Sequence, residues 1–272
     1  MLMTDNEFAL VKNLIYERFG IYLPEQKRSL LTNRLSKLLS DSGYKSWRDY
    51  YDSLVSDQSG DDLNEFVNRI TTNHTYFYRE EKHFQFFASR VLPEIADMVQ
   101  KEGHRDLRIW CAGCSSGEEA YTLAMLMMDY FGSNYPLWDA GLLATDISGK
   151  ALEMAQNGVY STERISTLPP ALKHKYFVHR GADEWVVDKK LREQITFRRF
   201  NLMANFPFKK PFHAIFCRNV MIYFDQKTRE GLVNKFFAHT AVGGYLFIGH
   251  SESLGRVGCP YKYVLPAVYR KM

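Results

Sequence analysis

The sequence predicts an α/β protein: a doubly wound, mostly parallel sheet, preceded by a small all-helical N-terminal domain and interrupted by an inserted antiparallel β-subdomain. Three observations predict it. Helical periodicity fills the first part of the chain, short apolar runs alternate with amphipathic helices from Leu107 onward, and the interval between Lys173 and Arg199 breaks that alternation. The expected division is 1–78 for the helical domain and 79–272 for the sheet domain, with the β-subdomain at about 174–199.

Residues 5–19 place Phe8, Val11, Leu14, Ile15 and Phe19 at helical spacing, with Thr4 or Asp5 as N-cap and Gly20 as the stop. Pro24 opens a second helix in which Leu30, Leu31, Leu35, Leu38 and Leu39 form one stripe. Its other face is basic, with Lys27, Arg28, Arg34 and Lys37 close together. Segments 46–55 and 61–70 are amphipathic and complete the helical domain. TTNHTYFY (71–78) has no clear period and joins the two domains, after which 79–101 reads as a longer helix.

From Leu107 the pattern becomes strand, turn, helix. LRIWCAG enters a Gly/Ser turn ahead of a helix over 118–130; GLLAT (141–145) leads into Asp146 and a helix through Ala155; FHAIFC (212–217) leads into a turn and a helix over 226–240. YLFIG, after Gly243-Gly244, and YKYVLPAVYR supply closing strands, the last of them antiparallel.

Hydrophobic residues make up 46% and charged residues 24% of the chain, which is the composition of an ordered globular protein without a disordered arm. The net charge of +4 tolerates an acidic partner without requiring one. Acidic residues interrupt the N-terminal apolar periodicity, so a signal peptide is not expected, and no run approaches the roughly 18 apolar residues that span a bilayer. Four cysteines do not call for a disulfide framework, and the cytoplasm is the expected compartment. Cys111-x-x-Cys114 has no companion pair at metal-ligand spacing; it reads as packing, and no metal is expected.

In open α/β sheets ligands bind outside the carboxyl ends of the strands, so the turns 112–119, 145–148 and 217–223 should meet in one crevice. The first lacks G-x-G-x-x-G spacing, and its Glu118 and Glu119 would repel a pyrophosphate at a helix N-terminus. A cation is favoured there, and S-adenosylmethionine, with its sulfonium and ammonium groups, suits the turn better than NAD. Asp146, just past a strand, is placed either to accept ribose hydroxyls or to cap the following helix. Arg218-Asn219, beside Tyr223, is an unusual start for a core helix. No [Asn/Asp]-Pro-Pro-[Tyr/Phe] constellation occurs, which disfavours an amine acceptor.

Taken in order, TTNHTYFYRE (71–80), WCAGCSSGEEAYTLAM (110–125), ATDIS (144–148), NLM (201–203), FCRNVMIYFD (216–225) and GHSES (249–253) resemble the chemotaxis receptor methyltransferase family, CheR. The resemblance implies a class I S-adenosylmethionine-dependent methyltransferase fold and transfer of methyl groups to glutamate carboxylates of chemoreceptors. The products would be glutamyl methyl esters, used in sensory adaptation, and S-adenosylhomocysteine. Asn73, Thr75 and Arg79 are implied as cofactor contacts, Glu119 ahead of Glu118 in the GEE turn, and Asp146 at the ribose. Asn201 and Leu202 would flank the adenine and Arg218 and Asn219 would lie behind the methionine moiety, with Arg79 and Tyr223 nearest the transferred methyl.

Arg28, Arg34 and Lys37 are implied as the docking face for the acidic helical bundle of a receptor's cytoplasmic region. The enzyme is expected to act as a monomer, without nucleic acid and without membrane insertion. Gly113 and Cys114 stand where some relatives have alanines, and RGADEWVVDKK is too different from the peptide-gripping version of the β-subdomain to carry that activity across. A carboxylate acceptor with a pKa of about 4.3 is already ionised at neutral pH, so a catalytic base is not required. His250, in GHSES, is the histidine to follow, with a structural hydrogen bond as its expected role. The rivals are a methyltransferase of small molecules or nucleic acid, for which interleaved aromatic and basic residues are missing, and a non-catalytic cofactor sensor, which Arg79 and Tyr223 argue against.

Overall fold

The computed structural model describes residues 3–41, 43–57, 60–71, 74–255 and 259–272; Asn73 and the side chain of Lys37 lie outside what is described. Helix α1 (Asp5–Phe19) begins at a reciprocal capping box, in which Glu7 Oε2 accepts the Thr4 N–H at 2.8 Å and Thr4 Oγ1 accepts the Glu7 N–H at 3.3 Å. It ends at Gly20, whose left-handed φ of 69° lets the cap N–H reach the Tyr16 carbonyl. A 3-10 turn leads into α2 (Arg28–Asp41), followed by α3 (Trp47–Ser56) and α4 (Asp61–Ile70). Their stripes close on one another in a cluster containing Phe8, Ile15, Leu35, Trp47 and Phe66. Burying each such side chain contributes about 1.5–3 kcal/mol, which offsets the weak intrinsic stability of helices this short.

The expected continuous helix over 79–101 is divided into α5 (Glu81–Phe86), a π-helical turn over 87–91 and α6 (Leu92–Lys101). Pro93 has no N–H for the carbonyl one turn back, and the hydrogen-bond ladder widens there. Strand β1 (Asp106–Ala112), α7 (Glu118–Phe131), β2 (Asp139–Asp146) and α8 (Gly149–Asn157) follow. Next come β3 (Val159–Ser161), α9 (Pro170–Tyr176), β4 (Phe177–His179), β5 (Glu184–Val187), α10 (Lys189–Arg192) and β6 (Ile195–Arg199). The chain closes with β7 (Phe212–Cys217), α11 (Gln226–Ala238), β8 (Thr240–Ile248), β9 (Lys262–Leu265) and β10 (Val268–Arg270).

Among the described residues a seven-stranded sheet runs β6-β2-β1-β7-β8-β10-β9, parallel from β6 to β8, with β10 antiparallel to both of its neighbours. Successive side chains point to opposite faces. Leu107, Ile109, Cys111, Ala214 and Phe216 therefore join one core with α6 and α7, while Trp110, Ala112, Ile215 and Cys217 join the other with α11. The chain builds outward from β1 through β2 to β6, then returns to add β7 on the other side of β1. The crevice at that reversal is the natural ligand site.

The antiparallel excursion differs from expectation at both ends. The small sheet runs β3-β5-β4, so it takes in Val159–Ser161, ahead of the expected 174–199. Ile195–Arg199 leaves it to pair in parallel with β2. A three-residue strand directly after the Gly158 cap is too short to show a period, and β6 alternates inward Ile195 and Phe197 as a strand of the main sheet does. Among the described residues no helix is long and apolar enough to cross a membrane.

Candidate functional site

The turn after β1 is fixed by β2: the N–H groups of Gly113 and Cys114 both donate to the Thr145 carbonyl, at 2.7 and 2.9 Å. Gly113 has a φ of 96°, and a Cβ there would overlap Val220 in the turn after β7, so the two turns meet without room for a side chain. Ser115, also left-handed at φ 49°, donates its N–H to Asp146 Oδ2 at 2.8 Å. Asp146 Oδ1 accepts the Ser148 N–H at 2.9 Å, and Ser148 in turn caps α8 through Ala151. The cap is therefore Ser148, and Asp146 is held from below with its remaining acceptor capacity on the crevice side. Burial pushes its carboxyl above the usual range, against the pull of these backbone N–H groups.

Glu118 and Glu119 part company. Glu118 is fully buried and turned away from the crevice, taking the Ser116 hydroxyl at 2.8 Å and Arg164 at 3.2 Å; burial pushes its carboxyl up. Glu119 lines the crevice, accepting Arg218 Nη1 at 2.6 Å and the Cys111 thiol at 3.1 Å. Cys111 and Cys114 are buried free thiols.

Arg218 organises the site floor. Its side chain is 1% exposed and bridges Glu119 to Glu80, at 3.0 Å, while it also donates to the Arg79 carbonyl and lies over the Phe84 ring. Burial alone would raise the Glu80 carboxyl, but Arg218, the Asn219 amide and the His250 N–H outweigh it and hold the pKa below the usual value. Asn219, at φ 58°, is kept left-handed by Glu252, whose buried carboxylate accepts the N–H groups of Asn219 at 2.9 Å, Ile222 at 3.1 Å and Gly249 at 2.5 Å. Glu80 and Glu252 sit inside the motifs TTNHTYFYRE and GHSES, yet neither was singled out from sequence; both act on a turn far away in the chain.

The crevice, open to solvent, brings together Thr75, Arg79, Glu119, Asp146, Asn201, Leu202, Arg218, Asn219 and Tyr223. Its opposite wall comes from Lys27, Leu30, Leu31 and Arg34 of the α2 region and from Thr71, His74, Thr75 and Tyr76. This wall is tied to the floor. Ile21 bridges Phe224, the Tyr22 N–H reaches the Tyr223 carbonyl at 2.8 Å, Tyr16 donates to Asp225 at 2.8 Å, and the Asn201 amide donates to the Arg18 carbonyl at 2.7 Å.

Arg79 donates to the His74 carbonyl at 2.7 Å and faces the Tyr76 ring, half-buried on the crevice side. The basic face of α2 is split. Arg28 is held by Asp5 and the Met3 carbonyl outside the crevice lining, whereas Arg34 lines the crevice and donates to the Ile70 carbonyl at 2.7 Å. Glu80 and Glu119 thus hold the Arg218 guanidinium between them, and Glu119 and Asp146 line the same crevice as Lys27, Arg34 and Arg79. Ser115 Oγ is buried without a partner beside Asp146, a polar atom left for a bound group.

The model of the CheR methyltransferase all-alpha domain matches residues 6–71, and that of the CheR methyltransferase SAM binding domain matches residues 73–264. A chemotaxis protein methyltransferase from Borreliella burgdorferi is 42% identical over 99% of this chain and 95% of its own length. A probable chemotaxis protein methyltransferase from Rhizobium etli is 37% identical over 88% of this chain and 89% of its own, and the Escherichia coli chemotaxis protein methyltransferase 35% over 94% and 87%. With both family domains matched in order and relatives this similar along nearly the whole chain, the protein belongs to the CheR methyltransferase family.

Proposed function

We propose that this chain transfers methyl groups from S-adenosylmethionine to glutamate side chains in the cytoplasmic helical bundle of a chemoreceptor, forming methyl esters. The observation that carries the reading is the opposition of charge across one crevice: an acid-rich floor suited to a cationic cofactor and a basic wall suited to an anionic acceptor. The orphaned Ser115 hydroxyl and the acceptor capacity of Asp146 fit a ribose diol. Glu119 fits an ammonium, and Asn201 and Leu202 offer a polar and an apolar edge for a base. When bound, S-adenosylmethionine supplies an electrophilic methyl on a sulfonium.

The remaining work falls to the protein. A glutamate acceptor with a pKa of about 4.3 arrives ionised, so no side chain need remove a proton. Arg79 and Tyr223 orient the acceptor carboxylate, and the wall from α2 reduces access of water, which strengthens their hold. Arg34 guides an acidic bundle to the mouth, while Arg28 steadies α1 and α2. A monomer working in the cytoplasm, without nucleic acid, belongs to the same proposal. So does a domain division at 78/79, supported by the left-handed positions Tyr78 and Glu80 that flank Arg79.

The test is incubation with methyl-labelled cofactor and receptor-enriched membranes. Label released as methanol by mild alkali is the expected result, and base-stable label would refute the ester chemistry. Arg79→Ala should lower turnover far more than it weakens S-adenosylhomocysteine binding. Full activity in that variant would remove the proposed role.

A further inference from the structure

His83 lies directly behind the Arg218 floor and is 0% exposed. Both of its ring nitrogens face acceptors: Nε2 stands 3.4 Å from the Pro266 carbonyl, and Nδ1 stands 3.4 Å from Glu80 Oε2 without making a hydrogen bond. A neutral imidazole has one N–H, so one of these contacts is always lone pair against lone pair.

A cation at Nδ1 resolves the conflict. With the N–H on Nε2 directed at Pro266, the ring has the arrangement usual for metal-bound histidines, one nitrogen on the metal and the other donating to a backbone carbonyl. Ligands about 2.0–2.1 Å from a tetrahedral zinc ion stand about 3.4 Å from one another. The Glu80–His83 separation is 3.4 Å. The His250 ring stands against His83 with centroids 4.5 Å apart, and ligand atoms of Glu80, His83 and His250 all lie within 4.8 Å of one another. His250 is exposed, which gives an ion a way in and leaves a coordination position for water.

We propose that Glu80, His83 and His250 form a binding site for a divalent transition-metal ion of the zinc class, and that its occupation regulates the adjoining crevice. Two imidazoles and a carboxylate suit such an ion better than magnesium or calcium, which prefer oxygen. A metal on Glu80 competes with Arg218 for the same carboxylate, leaving the guanidinium to Glu119 and loosening the turn that carries Asn219 and Tyr223. The site departs from the sequence expectation of no metal because its ligands come from two segments far apart in the chain. Its binding part stands on its own geometry; the effect on methyl transfer rests on the proposed function.

The test is calorimetry with Zn²⁺ and visible absorption with Co²⁺, on untagged full-length protein carrying Cys259→Ser to remove the half-buried thiol. A single ion per chain is expected, with tetrahedral cobalt bands. His250→Ala should weaken binding on the order of tenfold or more. In metal-free buffer it should leave methyl transfer unchanged, because Glu80 is held by the His250 backbone N–H and not by the ring. Zn²⁺ just sufficient to fill the parent's site should slow the parent severalfold, reversibly with chelator, and His250→Ala should need on the order of tenfold more Zn²⁺ or beyond for the same effect. Absence of binding, binding undiminished by His250→Ala, or nitrogen shifts showing a neutral-pH imidazolium at His83 would each overturn the site. His250-dependent binding in a protein that never methylates receptor would uphold the site and refute the proposed function.

Discussion

Removal of the Arg218 guanidinium should be among the most damaging single changes to this protein. The side chain is 1% exposed, and its carboxylate partners Glu80 and Glu119 are each 14% exposed, so solvent cannot replace it. In Arg218→Ala both carboxylates lose their counter-charge, the Arg79 carbonyl loses a donor and Phe84 loses its cation. Breaking a buried pair from one side costs about 3–5 kcal/mol, a large fraction of the roughly 5–15 kcal/mol that holds a domain folded. At about 2–4 °C per kcal/mol, the melting temperature should fall by about 6–20 °C. Arg218→Lys should recover less than half of the loss, because a point charge cannot bridge two carboxylates as the planar fork does. Urea denaturation gives the stability, and titration with S-adenosylhomocysteine reports whether the turn still holds cofactor. A loss under about 1 kcal/mol together with unchanged affinity would refute the view that Arg218 holds the floor together.

Gly113→Ala should destabilise by about 1–3 kcal/mol, since the new methyl meets Val220 at a left-handed position; Val220→Ala in the same chain should restore part of it, measured by thermal melting. Glu118→Gln should alter the pH dependence of stability. A carboxyl raised by burial binds its proton more tightly folded than unfolded, so its contribution is full below the ordinary value of about 4.3 and is lost as pH rises through the folded value. Urea midpoints compared between about pH 4.5 and 6.5 should therefore fall less with rising pH in Glu118→Gln than in the parent, and parallel curves would count against it. Arg34→Glu should raise KM for receptor and flatten its salt dependence; unchanged kinetics would make Arg34 a wall residue without a docking role.

Much of the site is legible because strand ends in a parallel sheet converge whatever the side chains are. Once β1, β2 and β7 are read from their apolar runs, the turns holding Glu119, Asp146, Arg218 and Tyr223 have to meet. The helical domain is equally plain from its stripes, and Thr4 and Gly20 fall at the caps that their chemistry implies. The limits of the small sheet were not, because Val159–Ser161 is too short to display a repeating period and becomes a strand by pairing with β5.

What the sequence determined by itself is most of the helices and of the parallel strands, their order and the turns that carry chemistry, which follow from local periodicity and turn residues. The tertiary structure decided which charges touch. Glu118 and Glu119 are neighbours in sequence, but about 100° apart around a helix, and packing sent one to Arg164 and the other to the crevice. Glu80 meets Arg218 across 138 residues, and Glu252 shapes the turn at Asn219 across 33. Such pairs leave no period in the chain, because they are set by how the strands and helices stack and not by what any one segment prefers.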